Sequence, residues 1–262
     1  MKVLFLGDVF GKPGREVLKA KLPVMVEENN IDFVIANGEN AAGGIGITPD
    51  ICKTLLNMGV DIVTSGNHIY KKNEILDYIE RQPRLLKPAN YPPATPGSGY
   101  HIMSDKKNNR IAVINICGRV FIDYFDCPFR TIDKIINNIR EETPVIIVDF
   151  HAEVTSEKVA MGWYLDGRVS AVVGTHTHIQ TADERILPGG TAYITDVGMV
   201  GPRDSVIGVK KENIIKRFLT MMPQKFTVSD DNYLVNAVVI DINEKSGRAN
   251  NITRLNMVIE SV

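Results

Sequence analysis

The chain has 262 residues, 44% of them hydrophobic and 23% charged, with a formal net charge of −1. That length suits one large α/β domain, alone or with a small cap, and a near-zero charge argues against capture of duplex DNA, which needs a basic face. The three cysteines, Cys52, Cys117 and Cys127, are odd in number and widely spaced; no C-x-x-C pair suggests a thiolate zinc site, no disulfide framework is visible, and a reducing cytoplasm fits best.

The opening apolar run, MKVLFLGDVF, is broken by Asp8 and does not resemble a signal peptide. No run of about 18 apolar residues follows, so no transmembrane helix is expected. Val3 to Leu6 reads as a buried strand ending at Gly7-Asp8. A helix follows Pro13 and runs to Asn29, kinked at Pro23. Phe33 to Ala36 is the next strand, ending at Asn37-Gly38-Glu39-Asn40. Thr48-Pro49 signals a helix start, with threonine as N-cap and proline in the first turn, and that helix stops near Gly59. Asp61 to Thr64 is a third strand, ending at Ser65-Gly66-Asn67-His68, and Lys72 to Arg81 is a third helix. This βαβαβα order predicts a parallel sheet covered by helices.

The middle of the chain differs. Residues 83–100 are rich in proline and read as a long loop, so a cap or insertion is expected around 83–130. Tyr100 to Ser104 and Ile111 to Ile116 flank a polar turn and predict a hairpin. Thr131 to Glu142 is helical. The alternation then resumes with a strand from Val145 to Val148, ending at Asp149-Phe150-His151. A helix spans Thr155 to Leu165 with Thr155 as N-cap. A strand from Val169 to Val173 ends at Gly174-Thr-His-Thr-His178. Lys210 to Met222 reads as helix, and the last forty or so residues as antiparallel strands with a turn near Glu244 to Gly247.

Five strand ends thus carry the same kind of residue: Asp8; Glu39 and Asn40; Asn67 and His68; His151; His176 and His178. Of the five histidines, only His101 lies elsewhere. In open α/β sheets ligands bind beyond the carboxyl ends of the strands. Imidazole nitrogens with carboxylate oxygens and no thiolate suit iron, manganese, zinc or cobalt. Two adjacent cations need a bridging anion, for which Glu39 is well placed, and a metal pair about 3.5–4 Å apart can clamp both oxygens of an in-line phosphoryl displacement. In an extended segment His176 and His178 leave the same face.

The order Asp8, Gly66-Asn67-His68, His151 and His176-x-His178 resembles that of the calcineurin-like metallophosphoesterases. GDVFGKPGR, NGENAAGGIGIT, SGNHIY, DFHAE and GTHTHIQTAD resemble more closely their YmdB-like branch. The resemblance implies a single domain over 1–262, built as a four-layer α/β/β/α sandwich. It implies two metal ions, iron favoured over manganese or zinc, one held by Asp8, Glu39, Asn40 and His178 and the other by Glu39, Asn67, His151 and His176. His68 is then the proton donor. The expected reaction is hydrolysis of a small phosphodiester, 2′,3′-cyclic nucleotides above all, by a metal-activated hydroxide. The chain departs from the wider superfamily at Phe10, where a histidine is usual, and at Glu39, where an aspartate is usual.

Two rival readings come from other classes. Metal-dependent amidohydrolases also carry a His-x-His pair, but at their first strand, whereas here it comes late. A metal-containing regulator that binds a nucleotide or partner with little turnover needs no free acid such as His68. The oligomeric state, a homo-oligomer included, stays open. Around the strand ends, the Ala42 to Gly46 loop is a candidate phosphate cradle, and Lys12, Arg15, Arg119 and Arg203 are candidate phosphate partners. Tyr70, Phe121, Tyr124 and Phe125 are candidates to stack on a base, and Asp149 and Asp196 to orient ligand histidines.

Overall fold

The computed structural model describes residues 1–260. In chain order the elements are β1 Lys2–Leu6, β2 Asp8–Val9, α1 Gly11–Asn29, β3 Phe33–Asn37, α2 Pro49–Asn57, β4 Ile62–Thr64, α3 Ile75–Ile79, β5 Tyr100–Ser104 and β6 Arg110–Cys117. They continue with α4 Pro128–Ile139, β7 Ile146–His151, α5 Thr155–Leu165, β8 Ala171–Thr175, β9 Arg185–Ile186, β10 Ala192–Ile194, β11 Met199–Pro202, α6 Lys211–Thr220, β12 Tyr233–Ile242 and β13 Ala249–Ile259.

The strands form two mixed sheets. One runs β2-β11-β12-β1-β3-β4 with β13 added on β12, and the other runs β5-β6-β7-β8-β10-β9. The expected parallel arrangement holds for β1, β3 and β4 and for β6, β7, β8 and β10. The first sheet is completed by the antiparallel tail, β12 pairing with β1 and β13. Each central strand is buried on both faces, which is why Val3 to Leu6 is an unbroken apolar run. With side chains alternating, Val3 and Phe5 meet Val113, Ile147 and Val173 of the other sheet. Leu4 and Leu6 face outward onto Leu18, Leu22 and Met25 of α1. On the far side, Ile132 and Ile136 of α4 and Met161 and Leu165 of α5 cover the second sheet. The layers are therefore α/β/β/α, as the resemblance implies.

The expected hairpin forms, residues 100–104 pairing antiparallel with 110–117 at the edge of the second sheet, and Leu85 and Leu86 bridge to Val63 and Ser98. Three local expectations need correction. Helix α3 is shorter than the expected 72–81, because Lys72 to Glu74 form turns. Thr155 is the first helical residue of α5, with Val154 at the cap and no side-chain cap bond. His176 and His178 are not extended, since both have positive φ, 99° and 66°. That backbone region is costly for a residue with a Cβ and concentrates at functional sites.

Beyond β1 the chain crosses between neighbours. β12 carries β1 along Ala237–Asp241 and β11 along Tyr233–Val235. The chain leaves β1 at Gly7 and pairs again at Asp8 with Met199 of β11. Any Cβ at Gly7 would collide with the Gly198 carbonyl, so this crossover requires glycine. It delivers Asp8 to the carboxyl edge of both sheets.

Candidate metal centre

Seven ligand-type side chains converge at that edge. They come from the ends of β1, β3 and β4 in one sheet and of β7 and β8 in the other. Glu39, His151 and His176 each place one ligand atom within 4.8 Å of the others. His151 Nε2 lies 3.2 Å from Glu39 Oε2, 3.2 Å from Asn67 Oδ1 and 2.9 Å from His176 Nδ1. On the other side, His178 Nε2 lies 3.2 Å from Asn40 Oδ1 and 3.8 Å from Asp8 Oδ1.

The partners of the remaining atoms decide where the protons sit. The Thr175 hydroxyl donates to Asp149 Oδ1 at 2.7 Å, so its oxygen accepts from His151 Nδ1 at 2.9 Å. That leaves His151 Nε2 with a bare lone pair in the neutral ring. His176 Nε2 lies 3.0 Å from Glu153 Oε2, leaving Nδ1 bare. His178 Nδ1 donates to the Ile207 carbonyl at 3.0 Å, leaving Nε2 bare. Asn40 Nδ2 donates to Gly44 O at 3.1 Å, which turns Oδ1 toward His178. In the neutral rings, His151 Nε2, His176 Nδ1 and His178 Nε2 thus each face another acceptor, and Asp8 Oδ1 is buried without a hydrogen-bond partner. Acceptor-only clusters are unfavourable in a buried site unless a cation fills them. The donor set of Glu39, His151 and His176 and its orientation fit a metal ion.

The charges agree. Burial disfavours the Glu39 carboxylate, but His151 and His68 outweigh it and hold Glu39 well below the usual carboxylate range. Burial works against a charged His151, yet Glu39 beside it lifts that ring to about 9. Burial and His151 together press His176 down to about 3. Burial raises Asp8 despite His178 and His151. Of the two facing rings, His151 is thus the one that takes a proton beside Glu39, and His176 the one kept bare.

His68 stands at the rim. Its Nδ1 is 2.8 Å from Glu39 Oε1, and its side chain is 27% exposed. Its backbone N–H donates to Glu39 Oε2 at 3.2 Å. Phe10, in the place of the usual histidine, packs its ring edgewise on His178 at 5.5 Å between centroids.

Buried polar groups support these side chains from behind. Asp149 acts through Thr175 rather than on a histidine directly, and it also accepts from Thr64 at 2.5 Å and from Asn37 Nδ2 at 3.1 Å. Asn37 Oδ1 in turn accepts the Glu39 N–H at 3.0 Å. Burial raises Asp149 to about 6. Asp196 accepts from Thr177 N at 3.1 Å, between the two strained histidines, and pairs with Lys158 Nζ at 2.6 Å. Lys158 also donates to Thr175 O at 2.7 Å, and both charges are almost fully buried. Removing one partner of a buried ion pair strands the other charge. Lys158→Ala is expected to lower unfolding stability by about 3–5 kcal/mol, read from urea denaturation; a loss below about 1 kcal/mol would show that the pair is not structural.

Gly66 sits against the centre. A Cβ there would collide with Glu39 Oε2 and His151 Nε2. Gly66→Ala is therefore expected to weaken metal affinity by about 10–100-fold, the range for disturbing what positions a ligand, with the fold retained by circular dichroism. Unchanged affinity would show that the two ligands can shift freely.

Other sequence expectations fare differently. The N–H groups of Ala42, Gly44 and Ile45 are bonded within their own turn, so this loop orients Asn40 rather than presenting a ring of free donors. Lys12 faces Glu16 and Arg15 donates to the Ala41 carbonyl. Neither they nor Arg119 and Arg203 line the cavity of about 660 Å³ that opens over the centre. Tyr91 packs edge-to-face against both Tyr70 and Phe125, while Phe121 and Tyr124 are exposed. The cavity wall is instead supplied by Ile207 and by α6 and the segment after it, including Arg217, Phe218, Met221 and Phe226. The sequence reading does not single these out, and it gives Glu153, within the DFHAE motif, no role.

The YmdB-like protein family matches residues 4–255. A Bacillus subtilis (strain 168) protein named 2′,3′-cyclic-nucleotide 2′-phosphodiesterase is 51% identical over 256 residues, 97% of this chain and 96% of that one. A crystal structure of a protein from Thermus thermophilus has a TM-score of 0.92 at 39% identity, covering 99% of this chain and all of the other. The crystal structure of a protein described as a novel phosphatase from Mycoplasma pneumoniae has a TM-score of 0.93 at 33% identity, covering 99% of this chain and 94% of that one.

Proposed function

The chain belongs to the YmdB-like family, and on that premise we propose that it is a metal-dependent phosphodiesterase that hydrolyses 2′,3′-cyclic nucleotides. The observation that carries this reading is the convergence of Glu39, His151 and His176, with His178 facing Asn40 and with His68 on the rim of the same cavity. The named activity of the Bacillus subtilis relative supports the substrate.

One ion would be held by Asp8, Glu39, Asn40 and His178, the other by Glu39, Asn67, His151 and His176. Nitrogen and oxygen donors suit iron, manganese or zinc, and the family resemblance favours iron. Bound there, such ions supply positive charge to the diester oxygens and acidify an attacking water. The chain's own groups do the rest. His151 and His176 keep the tautomers that Thr175 and Glu153 impose. Water adds to phosphorus as the bond to the 2′ oxygen breaks, and His68 gives that oxygen its proton. The product is the 3′-phosphate.

The chain is proposed to act as one metallophosphoesterase domain over 1–262. The part of 83–130 nearest to a cap is the stretch where Tyr91 donates to the Asn67 carbonyl and packs on Phe125. Cys52 and Cys117 are buried free thiols, consistent with a cytoplasmic setting. Among the described residues no helix is long and apolar enough to cross a membrane. The deciding experiment is turnover of 2′,3′-cyclic AMP by untreated protein. The reading predicts 3′-AMP, lost on chelation and restored by added metal; no product with any of the three metals would refute it, and would favour a binding protein.

A further inference from the structure

The chemistry assigned to the centre needs polar groups only, yet one side of its cavity is mostly apolar. The floor is made by the metal-ligand side chains. The facing wall is made by α6 and the residues after it, where Phe218 and Phe226 are 76% and 62% exposed. Only Ile214 of α6 is buried, so these rings are not held by the core. Large aromatic side chains bared beside a polar centre mark a surface that a ligand covers. Arg217 Cζ lies 5.6 Å from the Phe226 ring centroid, putting a planar cation beside that ring. Aromatic rings and guanidinium planes together are the usual platform for an unstacked base.

The wall is also tied to the metal side. Ile207 lines the cavity, and its carbonyl receives His178 Nδ1–H. Its φ of 47° is strained for a β-branched residue. Floor and wall are thus held in fixed register by one segment. A cavity of about 660 Å³ is within the range that encloses a small ligand. With the cyclic phosphate on the floor, the part of a nucleotide left to meet the wall is its base.

We propose that Phe218 and Phe226, with Arg217, form the nucleobase platform of this enzyme. The platform selects nucleosidic cyclic phosphates over other small diesters. This rests on reading the centre as a cyclic-nucleotide phosphodiesterase, and the test separates the two claims. Wild type and the Phe218→Ala/Phe226→Ala double variant are compared on 2′,3′-cyclic AMP and on methyl ribofuranoside 2,3-cyclic phosphate, which has the same reacting ring and no base. Adenosine affinity is measured by calorimetry, and oligomeric state by sedimentation.

The expected result is a rise of about five- to hundredfold in KM for the nucleotide, the range for one lost stacking platform, with kcat moving far less. The nucleotide loses at least five times more than the base-free analogue, and adenosine binding weakens in parallel with the nucleotide KM. Equal losses on the two diesters, or unchanged adenosine binding, overturn the platform. So does a change in self-association without a base-dependent loss, which assigns the wall to a second copy of the chain. If wild type cleaves neither diester, the catalytic reading falls, while the adenosine titration still decides the platform.

Discussion

Glu39→Ala is expected to lower turnover of a 2′,3′-cyclic nucleotide by about 10³-fold or more and to reduce bound metal below two ions per chain. Glu39 is buried and adjoins His151 on one side and His68 on the other. Its charge is felt at Asp8 as well as at His151. Two cations side by side repel, and a shared carboxylate offsets that repulsion. The loss corresponds to several kcal/mol of transition-state stabilisation. Metal content by elemental analysis and turnover on the same preparation check it. Two ions retained at full occupancy would remove the bridging role even if activity fell.

His68→Ala is expected to keep both metals and lose about 10²–10⁴-fold in turnover, the range for one general acid. His68 is the one histidine of the centre that faces Glu39 from the cavity rim, where it can reach a leaving oxygen. The loss is expected to be much smaller on a nitrophenyl diester, whose leaving oxygen hardly needs a proton. Because His68 also contacts Glu39 Oε1 at 2.8 Å, metal content must be read on the same samples. Equal losses on alkyl-type and aryl-type substrates with metals intact would make His68 a positioning group. Loss of a metal would make it a ligand.

Much of this centre is legible in the chain because a strand buried on both faces announces itself as an apolar run, and the polar residue that ends it stands out. Asp8, Glu39, Asn67, His151 and His176 are all found that way. The backbone around the histidine pair is not legible: nothing in Gly174-Thr-His-Thr-His178 signals that both histidines take positive φ, a conformation imposed by Asp196 gripping Thr177 and by Ile207 gripping His178. Strands of two to four residues such as β2, β9 and β11 are too short to show a period. Nor does the sequence say which strands share a sheet: β12 enters beside β1 from more than two hundred residues away. The cavity wall escaped for a related reason. Arg217 and Phe218 lie on a helix that reads as an ordinary surface helix, and Phe226 lies in irregular chain. Their meaning comes only from lying opposite the centre. The candidate basic residues lie near strand ends or glycine-rich turns, which is a weaker guide than position across the cavity.

The most direct test of the two-metal centre is to locate metals by anomalous scattering in crystals of protein purified without chelators or added ions. Two adjacent peaks per chain are expected, one against Asp8, Asn40 and His178 and one against Asn67, His151 and His176, with Glu39 touching both. A single peak, peaks away from these residues, or none in protein that hydrolyses a 2′,3′-cyclic nucleotide would contradict it.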